Sequence, residues 1–412
     1  MRAIRSAAVA TALVLLSGIA LAEGAPRDVP LPIQSDAALQ QYLAATPIEE
    51  SPLSRLSPMG LRRFLDGVDF NQRGITEFST GELMAELTAE EIREVMALFD
   101  LQAPASMLRD ARDVNRNDVP SRWPVPQEPT AIGRKFDQLR AIEDMPESTD
   151  AGVTDAGRSR AIRDGYDRLF DTASASLDAV SDSDLHLLFR AATLAVDWTK
   201  DPKYFDAMDR QLAELQARAL ASKFDYRVMH GALVLARDFE RADALAQSHP
   251  AMELATTPPI AEKVPAGHTG PTEWAVSPDQ YQLVHQAVDL DVPATVVVVA
   301  HPDCGFSRSA MAAIEPDPVL GPLFAEHARW LAPQSHRLDV ERMQQWNREH
   351  PSVEMTLAVD AREWPAIDEW ATPNFYFFKD GELKAKVTGW PLDGAGSRDE
   401  VIAALAEIGL LE

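Results

Sequence analysis

Ala294-Thr295-Val296-Val297-Val298-Val299-Ala300-His301-Pro302-Asp303-Cys304-Gly305-Phe306-Ser307-Arg308-Ser309-Ala310-Met311 is the stretch on which the reading of this chain turns. The β-branched run Thr295–Val299 predicts a buried central strand. His301-Pro302-Asp303 ends it, because proline cannot continue a central strand. A helical pattern opens at Cys304-Gly305-Phe306-Ser307. A cysteine therefore stands where a strand gives way to a helix. There, unpaired amides and the positive end of the helix dipole favour a thiolate. It is the only cysteine in the 412 residues, so any thiol chemistry is done here.

A second signature lies downstream, Ala371-Thr372-Pro373-Asn374-Phe375-Tyr376-Phe377-Phe378-Lys379-Asp380-Gly381-Glu382. Asp380-Gly381 predicts a two-residue hairpin turn between an aromatic strand and Leu383–Val387. The aromatics Phe375 to Phe378 suit a sheet core better than a ligand box. Arg398–Ile408 predicts a closing helix. Between the two signatures, Val340–Arg348 predicts an extra helix and the apolar run Val353–Val359 an inserted strand or layer. Upstream, Asp279–Val288 predicts a helix leading into the Ala294 strand.

In this order, strand, Pro-x-Cys-x-x-Ser, helix and Thr-Pro hairpin resemble the thioredoxin-like superfamily over roughly the last third of the chain. Cys304 to Ser307, with Pro302 before them, match the Cys-Gly-Phe-Ser turn of monothiol glutaredoxins. The resemblance implies a three-layer α/β domain with a central mixed sheet. It implies catalytic roles for Cys304, Ser307 and Pro373, with Pro373 cis and facing the cysteine. It also implies binding contacts from Pro302, Gly305, Phe306 and Thr372, and strand-like pairing of an extended substrate beside Pro373. His301, three residues before Cys304, is a candidate for tuning the thiol.

Three departures shape the functional expectation. Ser307 stands where a dithiol thioredoxin has its resolving cysteine, so a mixed disulfide at Cys304 cannot be released from within. Val298 stands where thioredoxins carry a buried acid. Monothiol glutaredoxins have a lysine upstream of the motif and a Gly-Gly pair after the hairpin. Here no lysine lies between Lys263 and Cys304, and the hairpin leads into Thr388-Gly389-Trp390. These absences argue against a glutathione-ligated iron–sulfur cluster and leave glutathione only as a weak cofactor candidate. His301-x-x-Cys304 supplies two ligands, fewer than zinc takes, and no second Cys/His pair appears, so no metal is expected. Trp364, Trp370 and Trp390 are candidates either for a groove border or for plain packing.

The formal net charge of −25 argues against a nucleic-acid or anionic-membrane surface, which needs clustered Lys and Arg. Residues 1–22 read as a secretory signal. Arg2 and Arg5 form its basic start, Ala7–Leu16 its apolar centre and Ala20-Leu21-Ala22 its cleavage site. The expected location after cleavage near Ala22 is periplasmic or secreted, with no transmembrane segment in the mature chain. A lone cysteine is unusual in such a compartment and must be buried, reactive or capped by a small thiol.

Residues 23–118 predict a small helical region. Met59–Val68, Thr80–Leu87 and Thr88–Phe99 are helical, the last opening on the capping box Thr88-Ala89-Glu90-Glu91. Asp113-Val114-Asn115-Arg116-Asn117 alternates oxygen ligands like a calcium loop. However, Asp118 and Pro124 occupy the positions that need glycine and glutamate, so it reads as a polar turn. Residues 119–157 form a linker-rich segment with one helix, Ala131–Ile142. Residues 158–248 predict helices over Arg158–Val180, Asp182–Val196, Pro202–Ser222, Phe224–Ala236 and Phe239–Gln247. Met229-His230-Gly231-Ala232 and Phe239-Glu240-Arg241-Ala242 loosely resemble a tetratricopeptide helix pair, with a generic bundle as the alternative. Residues 249–278 read as a Pro-rich linker and 279–412 as the thioredoxin-like domain.

The expectation is an exported protein whose single active-site cysteine forms mixed disulfides with a protein or small thiol, presented by a helical interaction region. That would make it a monothiol thiol–disulfide oxidoreductase. The alternative is a non-catalytic adaptor or chaperone-like binder built on a degenerate thioredoxin fold.

Overall fold

A computed structural model describes residues 31–71, 74–117, 128–145, 155–170, 176–335, 337–391 and 397–411. The signal reading over residues 1–22 and parts of the linker reading lie outside them. The chain divides into two compact units. One contains residues up to Lys135 together with Leu177–Leu187 and Gln211–Val228; the other contains the rest.

The first unit opens with α1 (Asp36–Ala45), α2 (Pro58–Asp66), the hairpin β1 (Val68–Asn71) and β2 (Gly74–Phe78), α3 (Gly81–Glu86), α4 (Ala89–Ala97) and α5 (Ala105–Asp110). Local chemistry sets the helix ends. The Ser57 hydroxyl caps α2 ahead of Pro58, and the Thr88–Glu91 capping box opens α4 with both reciprocal bonds present. Phe64, Phe78 and Phe99 then meet edge to face, with ring centroids 5.2–6.0 Å apart, at the centre of the core. Val68, expected to end a helix, instead starts β1, because helix α2 stops at Asp66 and its cap Gly67. Asn115 and Asn117 spend their side-chain amides on the Arg55 carbonyl and on Glu91 and Glu86, which makes that segment a bonded turn.

Helices α6 (Ala131–Glu143), α7 (Asp155–Leu169), α8 (Asp182–Thr199), α9 (Pro202–Ala217), α10 (Lys223–Leu235) and α11 (Phe239–Ser248) follow, matching the expected helical run closely at most of their ends. Near α10, Asp225 is buried beside Arg112, and its carboxylate also accepts from the Ser222 amide and hydroxyl.

The second unit is built on an eight-stranded mixed sheet, in which β3 (Ile260–Glu262), β4 (Thr272–Val276), β5 (Leu283–Ala287), β6 (Thr295–Val299), β7 (Ala328–Ala332), β8 (Met355–Ala358), β9 (Asn374–Lys379) and β10 (Glu382–Thr388) lie in the order β10-β9-β6-β7-β8-β4-β5-β3. β6, β7 and β8 run parallel, β9 runs antiparallel to β6, and β10 turns back antiparallel to β9 and so shares the direction of β6. Val296, Val298 and Ala300 face a core shared with α12 (Gly305–Ile314), α13 (Leu320–His327), α14 (Val340–Glu349) and α15 (Ser397–Glu407). Val297 and Val299 face a second core with Leu331, Tyr376, Phe378, Trp364 and Ile367. A β-branched run suits β6 because both of its faces are buried. Asp380 (φ 48°) and Gly381 (φ 75°) give the hairpin two consecutive left-handed residues, as a type I′ turn requires. This mixed sheet with its helices is an α/β fold, consistent with the thioredoxin-like domain that the sequence resemblance implies.

Two expectations are corrected here. The Asp279–Val288 segment is the strand β5 and not a helix, and the Pro-rich 249–278 segment is not a bare linker, since it carries β3 and β4. β5 gains a partner on each side, β4 antiparallel and β3 parallel, and this long-range pairing overrides a weak helical pattern. The prolines bound short strands. The Pro259 carbonyl accepts from Leu283 and the Pro271 carbonyl from Val288, so each proline uses its acceptor where it lacks a donor. The extra helix and the apolar run form α14 and β8. The latter is a strand inserted between β7 and β4.

Candidate functional site

The site forms where β6 ends. The Ala300 amide still pairs with Leu331, after which the chain turns and the Cys304 amide closes back on the His301 carbonyl at 3.0 Å. Cys304 has extended dihedrals (φ −75°, ψ 121°) and is the N-cap of α12, with its carbonyl taking the first helical bond from Arg308. Pro302 is buried, and its carbonyl accepts from Arg308 Nη1 and Arg342 Nη2, both at 3.1 Å. Asp303 is exposed but paired with Arg342 Nε at 2.8 Å, so its charge is offset beside the cysteine.

Opposite lies the strap Asp368–Asn374. The Thr372–Pro373 peptide is cis, and Cys304 Sγ donates to the Thr372 carbonyl at 3.3 Å. The carbonyls on either side are taken: Ala371 accepts from Asn374 Nδ2 at 2.8 Å, and Pro373 accepts from the Gly389 amide at 2.9 Å. The buried Tyr376 hydroxyl accepts from the Glu369 amide, with Asp368 Oδ1 and the Glu369 carbonyl within 2.9 Å for its own proton. Lys386 bridges Asp368 and Glu369. The Ala371 and Pro373 carbonyls and the Asp368 and Glu369 carboxylates thus have partners, and the Thr372 carbonyl is the one presented to the sulfur.

Burial acts most strongly on the Cys304 thiol and pushes its pKa up. Hydrogen bonds from the Thr372 side chain, the Ser307 amide and hydroxyl and the Phe306 amide outweigh burial, and the net shift is downward. The amides are the free N–H groups of the first turn of α12. The Thr372 carbonyl works in the opposite sense, because it accepts from the protonated thiol. Ser307 is fully buried and accepts from the His301 amide at 3.3 Å, so it also braces the turn. Burial pushes the His301 imidazole below its ordinary range, which leaves the ring neutral at pH 7 with Nδ1 accepting from the Asp303 amide at 3.2 Å.

Cys304, Ser307, His301, Pro302, Thr372 and Pro373 are thus gathered in one place. His301 contributes through its backbone and a neutral ring, with no cation to steady a thiolate. Phe306 offers an amide and a side chain 49% exposed, and Gly305 is exposed at the first helical position. Trp364 and Trp390 are core residues, and Trp370 packs partly buried against the second core. Sequence reasoning missed Asn374, Gly389, Arg308 and Arg342. Asn374, adjoining Pro373, was the one signal available for the strap. Among the described residues, no group of three or more His, Cys, Asp or Glu is arranged to hold a metal ion, and no helix is long and apolar enough to cross a membrane.

Among solved structures, a thioredoxin-like protein from Bacteroides caccae is similar to this chain at 14% identity. The match covers 68% of this chain and 96% of that one, with a TM-score of 0.25. No family model and no curated protein matches the chain.

Proposed function

We propose that this is an exported monothiol thioredoxin-like protein whose Cys304 forms mixed disulfides with a protein or a small thiol. A Cys304 thiolate attacks one sulfur of a disulfide RS–SR′, forming Cys304–S–SR and releasing R′S⁻, which takes up a proton from water. An external thiol then attacks the mixed disulfide, departs bonded to RS and returns the Cys304 thiolate. The observation that carries this reading is the sulfur's position. It lies at the start of α12, half-buried, under first-turn amides and against the Thr372 carbonyl.

With no second cysteine in the chain, release must come from outside, and glutathione is one small thiol able to do it. The basic, apolar and small-residue pattern of residues 1–22 supports export. The helices over residues 158–248, with their tetratricopeptide-like pair, would present the thiol to its partner.

The test uses the mature protein and an aromatic disulfide reagent, followed by intact mass. The expected result is one adduct per chain, absent in Cys304→Ser, stable until a thiol is added, with no insulin reduction through a dithiol cycle. A folded protein that forms no adduct, while the denatured chain does, contradicts the reading.

A further inference from the structure

Besides Cys304, the strap has a hydrogen-bonded tie from outside its own sheet. The Trp370 amide donates to Asp155 Oδ2 at 3.1 Å, although the two residues are 215 positions apart. Asp155 is the first residue of α7, in the helical part of the same compact unit. The other strap contacts described above come from β9, from Lys386 on β10, from the turn after β10 and from Cys304 itself. Trp370 stands two residues before Thr372, so Asp155 holds the strap close to the carbonyl that meets the sulfur.

We infer that Asp155 is a positioning residue through which the helical region sets how closely the Thr372 strap is held to Cys304. The inference rests on the mixed-disulfide reading for its functional meaning, while the coupling itself can be measured without it. An amide in an irregular segment needs an acceptor, and a segment without one drifts toward water. Strap drift at Trp370 passes to Thr372, since only Ala371 lies between them. A partner that engages α7 would then alter the thiol without touching it.

Asp155 has a second neighbour, and the test must separate the two roles. The Lys200 ammonium sits among Asp197, Asp155 and Asp360, which favour its charge, although burial dominates and lowers its pKa. If Asp155 acts by its charge on Lys200, an amide cannot replace it. If it acts as an acceptor for Trp370, an asparagine can. Around the sulfur itself, the charged or titratable groups are His301 and Asp303 on its own turn, Arg308 on α12 and Arg342 on α14. The Asp155 variants alter none of them.

The experiment follows iodoacetamide alkylation of Cys304 across pH in the full mature chain for wild type, Asp155→Ala and Asp155→Asn. Exchange of the Trp370 amide is followed by NMR. Asp155→Ala should speed Trp370 exchange and move the alkylation midpoint by about half a pH unit, changing the neutral-pH rate roughly threefold. The midpoint moves because strap drift alters the Thr372 contact at the sulfur, where the carbonyl accepts from the protonated thiol. Asp155→Asn should stay close to wild type in both. An alkylation midpoint unmoved while Trp370 exchange accelerates overturns the inference, as does an asparagine variant that behaves like alanine. If the alanine variant misfolds, the asparagine comparison still decides between acceptor and charge. A wild-type Cys304 that titrates like a free thiol counts against the mixed-disulfide reading alone, because the difference among the three proteins is read separately.

Discussion

Replacing Ser307 with alanine is the sharpest perturbation of the site. The hydroxyl is fully buried, accepts from the His301 amide and is among the groups that lower the Cys304 thiol pKa. A hydrogen bond to a charged acceptor contributes about 1.5–3 kcal/mol. The sulfur is half-exposed, and water replaces part of any lost donor, so about 0.7–1.4 kcal/mol remains after screening. At about 1.4 kcal/mol per unit, the thiol pKa rises by roughly 0.5–1 unit. Alkylation at a pH below the midpoint then slows about three- to tenfold, because only the thiolate reacts. The same change strands the His301 amide and should cost about 1–3 kcal/mol of stability. Iodoacetamide rates read by intact mass from pH 5 to 10, beside far-UV circular dichroism and urea unfolding, measure both effects. A midpoint that stays put or falls in a folded Ser307→Ala protein refutes the assignment of Ser307 as a thiolate donor.

Two further outcomes concern stability. Asp225→Ala leaves the Arg112 guanidinium buried without its carboxylate and should cost about 3–5 kcal/mol in urea unfolding, whereas Arg112→Met with Asp225→Ala should recover much of that loss; an additive double variant would refute the pairing. Asp317 is held at a pKa of about 2 first by its hydrogen bond from Arg398, with the Val319 and Leu320 amides adding to it. A depressed carboxyl pKa stabilises the fold above the ordinary carboxylate range and loses that contribution as pH falls through about 2. Asp317→Asn should therefore be less stable than wild type at neutral pH and equal to it near the bottom of that window; a gap that persists there rejects the pair as its source.

The α/β core was legible because its signals are local and strong. Thr295–Val299 is β-branched throughout and Asp380-Gly381 names its own turn, just as the Thr88–Glu91 box marks a helix start in the first unit. β5 was not legible, because Leu283-Val284-His285-Gln286-Ala287 has no clean alternation and becomes a strand only through β4 and β3. Likewise, Val68–Asn71 is too short to announce a hairpin before its partner is in place. At the site, the start of α12 could be read from residues alone, whereas the approach of Thr372 to the sulfur came only through the superfamily resemblance. The imidazole state of His301 depends on burial, which no spacing reveals. The Asp155 tie joins residues too distant in sequence for any periodicity to encode.

The margins of the sheet have a bearing on how another polypeptide can approach. β10 presents Lys384 and Lys386, each already engaged by an acidic side chain, and β3 at the far border is only three residues long. Short or lysine-bearing borders discourage lateral zippering between neighbouring chains. A visiting extended segment therefore finds little foothold along the flanks, and under the proposed mixed-disulfide reading it would enter at the seam between α12 and the Thr372 strap.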